Sequence, residues 1–186
     1  MKNKHGGGAV FTLGDLVPDI AEDVFIAPGA QVIGDVHIGA GSSIWNNTIV
    51  RGDVHEIRIG SNTNVQDGSV VHVTHDKFGT YIGDNVLIGH SVMLHGCILE
   101  DWSFVGLSTV VMDGCVIETN GMLGAGGLLP PGKRIKSGQL WVGSPARYVR
   151  NLSSDEIARN RESAPYYAAL AQKHLKELAP YEKSRF

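Results

Sequence analysis

Aliphatic residues recur at every sixth position along most of this chain, and that period constrains its fold more than any other feature. The series begins Ile20, Ile26, Val32, Ile38, Ile44, Val50 and resumes at Ile59, Val65, Val71 and at Ile82, Ile88, Leu94. It ends with Leu99, Val105, Val111, Ile117, Leu123, Leu129, Ile135, nineteen positions in four phased blocks. A helix needs spacings of three and four, and a simple strand needs alternation by two, so six over this length fits neither. It fits a flat face of a few residues that ends in a tight corner, with the aliphatic side chain turned into a narrow core. Three such faces close one triangular coil, and coils stacked in this way make a solenoid. The aliphatic residue is often followed by glycine, as in Ile38-Gly39, Ile82-Gly83 and Ile88-Gly89. A small residue recurs four positions after it, as at Ala30, Ser42, Thr48, Ser69, Thr109 and Cys115. Corners of this kind favour Gly, Asn and Asp.

The 186 residues suit one main domain, read here as a lead-in over 1–19, a solenoid over 20–140, and a linker with a helical segment over 141–186. A formal net charge of −3 gives no electrostatic case for nucleic acid or for an anionic membrane surface. No stretch approaches the roughly 18 apolar residues that span a bilayer. The first eight residues lack the apolar core of a signal peptide and read as flexible. Cys97 and Cys115 are the two cysteines, eighteen apart; they read as small buried thiols in a reducing, cytoplasmic setting. After the repeats, Ser153-Ser-Asp-Glu156 is a capping box that opens a helix. Ala158, Ala168, Leu170, Ala171, Leu175 and Leu178 form its expected apolar stripe, and Pro165 is expected to kink it or divide it in two.

The hexads over roughly residues 20–140 resemble those of the left-handed parallel β-helix, the hexapeptide-repeat or isoleucine-patch superfamily. The resemblance implies an all-β solenoid with a C-terminal α-helix, and a homotrimer. The left-handed sense comes from the family, since spacing alone cannot give it.

The repeat breaks in three places, and a solenoid accommodates insertions as loops at its corners. Three extra residues fall between Val50 and Ile59, beside Arg51-Gly-Asp53, and five fall between Val71 and Ile82. Leu94 to Leu99 is one residue short. His72 and His95 each follow an inward aliphatic position and lie 23 apart, which is one 18-residue coil plus the five inserted residues. They should stack on one outward face in neighbouring coils. His90 follows Ile88 by two and lies elsewhere on the perimeter, so a threefold oligomer offers a way to join all three. Three imidazoles with a fourth position for water make up a catalytic zinc site.

Asn64-Val-Gln-Asp-Gly-Ser-Val-Val-His72, Ile88-Gly-His90 and Leu94-His-Gly-Cys97, preceded by Arg51-Gly-Asp53, closely resemble the γ-class carbonic anhydrase family. The resemblance implies reversible hydration of carbon dioxide to bicarbonate. His72, His90 and His95 would be the zinc ligands, with His90 contributed across the trimer interface; iron or cobalt also suits imidazole. Arg51 and Asp53 would lie near that interface, pairing between subunits and placing Arg51 where it can attract bicarbonate. Gln66 would hydrogen-bond the metal's water, with Asn64 and Asp67 holding the site in shape, and Tyr167 would reach the site from the C-terminal helix. The family archetype carries acidic proton-shuttle residues where this chain has Val54 and Val73-Thr74-His75, and His75 is the expected substitute. Two other readings share the scaffold: an acyltransferase or thioesterase acting on coenzyme A thioesters, and a non-catalytic metal-binding trimer.

Overall fold

A computed structural model describes residues 5–180, in which the inward ladder forms as the period requires. All nineteen aliphatic positions face the coil interior, and all but the partly buried Ile20 are buried. The small residues four places later are buried with them, Ala30, Ser42, Thr48, Ser69 and Thr109 among them. Their hydroxyls lie against backbone carbonyls that the coil stacking leaves free: Thr48 Oγ1 donates to Gln66 O at 3.0 Å and Ser69 Oγ to Gly89 O at 3.1 Å.

About seven turns stack as a left-handed parallel β-helix. The first face carries the strands Ala9–Phe11, Gln31–Ile38, Ile49–Ile59, Val70–His72, Met93–His95, Val110–Val111 and Leu128–Leu129 in parallel register. Gln31–Ile38 and Ile49–Ile59 run on around a corner into the second face, which continues through Thr80–Ile82, Ile98–Leu99, Val116–Ile117 and Arg134–Ile135. The third face runs from Phe25–Ile26 through Ser43–Ile44, Asn64–Val65, Leu87–Ile88, Phe104–Val105 and Met122–Leu123 to Gln139–Gly143. Corners turn in the left-handed region. Asn47, Asn62, Asn85 and Asn120 adopt φ between 54° and 60°, and Gly29 sits so close above Asn47 that an added Cβ would lie 2.2 Å from its Oδ1.

Three expectations are corrected. The lead-in is ordered from residue 5 of the described range: Gly8 N–H donates to Ile26 O at 2.9 Å and Ala9–Phe11 pairs with Gln31–Ile33, so the sheet begins before Ile20. The remainder of the expected flexible start, residues 1–4, lies outside the described residues. The expected linker after residue 140 is a β-hairpin, Gln139–Gly143 with antiparallel Ala146–Asn151, which closes the third face. The helix is a single element, Ser154–Glu177, and continues through Pro165. Its buried contacts also differ from the expected stripe. Ala171 is buried and Leu170 and Leu175 pack beside it as expected, but Ala158 and Leu178 are exposed, Ala164 is buried, and Tyr167 and His174 pack around Trp45 and Phe25. Alanines let the helix axis come close to the third face, and the aromatic rings fill the space on either side.

The helix is held at both flanks. Gln172 Nε2 donates to Asp23 O at 2.8 Å, and the Arg161 guanidinium lies 5.0 Å from the Trp102 ring centre. At its start, Ser153 and Glu156 form the expected capping box, and Arg150 grips both Glu156 oxygens at 2.8 Å. The Arg150 hydrogen bonds, then the Ser153 backbone N–H, bring the Glu156 carboxyl from 4.5 down to about 2.

Val105→Asp places an unpaired carboxylate in the middle of this ladder, and the protein is expected to lose its β circular dichroism and its solubility. A depressed carboxyl stabilises the fold above its ordinary pKa and ceases to as the pH falls through the folded-state value. The difference in melting temperature between wild type and Glu156→Gln should therefore hold above about pH 4.5 and close toward pH 2.

Candidate metal centre

Strand Val70–His72 lies directly beneath Met93–His95, and His72 pairs in register with His95. Because Val71 and Leu94 point inward, the residues after them point out. The five-residue insertion is spent entirely in the loop between Val73 and Thr80, leaving this register intact. Thr80 Oγ1 fixes the local backbone by donating to His72 O at 2.6 Å and accepting from Gly96 N at 3.0 Å.

The two imidazoles approach with His72 Nδ1 3.2 Å from His95 Nε2. Each ring's other nitrogen meets a carboxylate: His72 Nε2 lies 3.0 Å from Asp53 Oδ1, and His95 Nδ1 lies 2.6 Å from Asp113 Oδ1. A neutral imidazole has one N–H. With both N–H groups given to carboxylates, the two remaining nitrogens would turn their lone pairs toward one another, an arrangement that a metal cation can bridge. Two nitrogens bound about 2.0–2.1 Å from a tetrahedral zinc ion lie about 3.3 Å apart, so the spacing fits a metal.

Asp53 serves two partners. Arg51 Nη1 donates to its Oδ2 within the same chain while His72 takes Oδ1. Burial pushes the Asp53 carboxyl up, but the hydrogen bonds from His72 and Arg51 outweigh burial and leave it below its ordinary value. Just beyond, Arg58 bridges Asp35 and Glu56 at 2.7 Å each, and Tyr81 donates to Glu56 at 2.7 Å. This network supports one wall of a cavity of about 600 Å³ on which Asp53, His55 and His75 also lie.

The other predicted residues gather at the opposite corner of the first face, where the chain turns out of the third. His90 Nδ1 lies 2.9 Å from Asp67 Oδ2 and its side chain is half exposed. Gln66 Nε2 donates to Asn64 Oδ1 at 3.0 Å, and both residues are buried. Tyr167 comes down from the helix onto Trp45, with ring centres 5.8 Å apart. Burial first, then the neighbouring Tyr166 and Asp67, raise its phenol. His90 and His95 thus bracket the strand Met93–His95 instead of sharing a site. Among the described residues, no three His, Cys, Asp or Glu side chains converge in a metal-holding arrangement.

One chain therefore carries two clusters: Arg51, Asp53, His72 and His95 at one corner, and Asn64, Gln66, Asp67, His90 and Tyr167 at the other. Sequence reading missed Asp113, His55 and the hydroxyl of Thr74. A signal for Asp113 was present: Met112-Asp-Gly-Cys115 repeats Leu94-His-Gly-Cys97 one coil later. Cys97 and Cys115 are both free and buried, and burial, most strongly for Cys97, raises their thiols.

Comparison with known proteins places the chain among hexapeptide-repeat proteins. Residues 18–52 match the family model for bacterial transferase hexapeptide (six repeats). The chain is 49% identical over 170 residues to gamma carbonic anhydrase 1, mitochondrial, of Arabidopsis thaliana, covering 89% of this chain and 62% of that protein. It is 42% identical to Protein YrdA of Escherichia coli K12, covering 87% of this chain and 91% of YrdA. Among crystal structures, a hexapeptide transferase family protein from Anaplasma phagocytophilum superposes with a TM-score of 0.83 at 45% identity, covering 88% of this chain and 96% of that one. A candidate acetyltransferase from Bacillus cereus superposes at 0.89 with 32% identity, covering 91% and 98%. The fold, the histidine pattern and these likenesses agree: the chain belongs to the γ-class carbonic anhydrase family of the hexapeptide-repeat superfamily.

Proposed function

We propose that this protein is a zinc-dependent carbonic anhydrase that works as a homotrimer, each site holding its metal between His72 and His95 of one subunit and His90 of the next. The observation that carries the reading is the close approach of His72 Nδ1 and His95 Nε2, with the other nitrogen of each ring against a carboxylate. Between the two clusters lies an outward row of apolar side chains, Ile49, Val70, Met93, Val110 and Leu128, one per coil and none fully buried. An uninterrupted apolar row of this kind is suited to cover by another protein surface. A threefold axis facing it would set one subunit's His90 corner against the next subunit's His72 and His95.

Bound zinc supplies a hydroxide nucleophile at neutral pH by lowering the pKa of water to about 7. This chain's side chains do the rest. Gln66, fixed by Asn64, offers its amide to orient the nucleophile. Arg51 presents a permanent positive charge toward bicarbonate while Asp53 holds that guanidinium in place. Tyr167 narrows the site from the helix and limits water. Val54 and Val73-Thr74 provide no acid, and proton export falls to His75, on the wall of the cavity that Asp53 and His55 also line. Iron or cobalt would be held by the same ligands.

No helix among the described residues is long and apolar enough to cross a membrane. A cytoplasmic setting belongs to this proposal and rests on the two free buried thiols. Thioester chemistry on coenzyme A substrates is the second reading, favoured by the hexapeptide transferase family protein at 45% identity.

Metal content and carbon dioxide hydration measured by stopped flow on one sample separate these readings. About one zinc per subunit is expected, with hydration lost in His95→Ala. Stoichiometric metal with thioester hydrolysis and no hydration would favour the second reading, and stoichiometric metal with neither activity a non-catalytic trimer. His90→Ala should abolish metal binding while leaving the far-ultraviolet circular dichroism unchanged; full retention of metal would exclude a site shared between subunits.

A further inference from the structure

Behind His95 lies Asp113, a carboxylate that the sequence reading did not assign. Asp113 lies in the next coil, one residue past the position in register with His95, and its Oδ1 lies 2.6 Å from His95 Nδ1. Its Oδ2 accepts from Thr74 Oγ1 at 2.9 Å, so both carboxylate oxygens are engaged and their orientation is fixed. Thr74 itself belongs to the inserted loop. A bridge between Thr74 and Phe78 closes that loop, with Thr74 N donating to Phe78 O at 2.9 Å.

The backbone leaves room for this contact at one place. Gly96, next to His95, has φ +57°, and a Cβ there would lie 2.5 Å from Asp113 Oδ1 and 2.7 Å from Phe78 Cβ. Any side chain at 96 would push away both the carboxylate and the loop that holds it. The loop, the glycine and the aspartate together present one acceptor to one ring nitrogen of His95.

We propose that Asp113 is a positioning residue: with Thr74, it holds His95 as the Nδ1–H tautomer and aims Nε2 at the metal. The proposal rests on the metal-centre reading above. A histidine ligand whose second nitrogen is bonded to a carboxylate has its tautomer and ring plane set before the metal arrives. Asp53 does the same for His72 with the nitrogens exchanged, so the two rings offer Nδ1 and Nε2 to a common point. Here the inserted loop supplies a hydroxyl at Thr74 to steady a metal ligand, at a position where the archetype has its proton-shuttle acid nearby.

The test is nitrogen-15 NMR of the imidazoles in the full-length protein without metal, followed by zinc affinity measured by chelator competition. Wild type should show His95 as the Nδ1–H tautomer, and Asp113→Ala should shift it toward Nε2–H. The same variant should weaken zinc binding about 10- to 100-fold while the melting temperature of the metal-free protein holds. Thr74→Val should weaken zinc binding by less, and Asp113→Asn should fall between Thr74→Val and Asp113→Ala. A wild-type His95 found as Nε2–H would overturn the proposal, as would an Asp113→Ala variant with unchanged zinc affinity. So would an affinity loss matched by a fall in metal-free stability, which would make Asp113 merely structural. The expected tautomers in a wild type that binds no zinc would instead overturn the metal-centre reading, and Asp113's role toward the metal with it.

Discussion

Everything in this molecule depends on the inward aliphatic ladder. A side chain every six residues, stacked on its counterpart one coil away, fills a narrow core, and each coil is registered on the last by parallel hydrogen bonding. A one-residue slip would turn a ladder residue outward and a polar one inward. The core therefore holds phase through three irregularities in the sequence, and the surplus residues leave the coil as loops. Outward positions inherit this precision: His72 and His95 meet because Val71 and Leu94 cannot move.

A scaffold this regular places chemistry by phase. His95 meets Asp113 across consecutive coils at the corner where the repeat runs one residue short, and His72 stacks on His95 once the inserted loop is set aside. The same arithmetic keeps His90 away. It lies at the start of the face that His95 ends, so the core that unites two histidines separates the third. An apolar row of outward residues joins the two clusters, and both corners are more polar than the face between them. In the proposed trimer, the two edges of this one surface would supply complementary halves of a site.

Much of this was legible in the sequence because periodicity reports directly on which side chains point inward. The ladder, the small corner residues, the stacking of His72 on His95 and the capping box at Ser153 follow from spacing and local chemistry. What escaped has a physical reason in each case. Asp113 reads as one more corner aspartate, because its meaning depends on the histidine one coil below. Ala9–Phe11 falls outside the hexad phase and is ordered by pairing with Gln31–Ile33, while the hairpin from Gln139 keeps the phase through Trp141, an aromatic in place of the aliphatic signal. Pro165 removes one backbone donor from the helix, yet packing against Phe25 and Trp45 keeps the helix whole. That packing selects Ala164 as well as the expected Ala171 for close approach, and the choice of Ala164 is set by the distance between two surfaces.

The central claim, that each site is completed by two subunits, is tested most directly by complementation. Neither His90→Ala nor His95→Ala should hold zinc alone, because each lacks a ligand at every interface. In mixed trimers, one kind of interface would bring the intact His72 and His95 of a His90→Ala subunit against the intact His90 of a His95→Ala subunit. Denaturing the two variants together and refolding them should restore zinc at about one site per mixed trimer, whereas refolding each alone should restore none. If the mixture binds no more zinc than the separate variants, the metal is not shared between subunits and the account is wrong at its core.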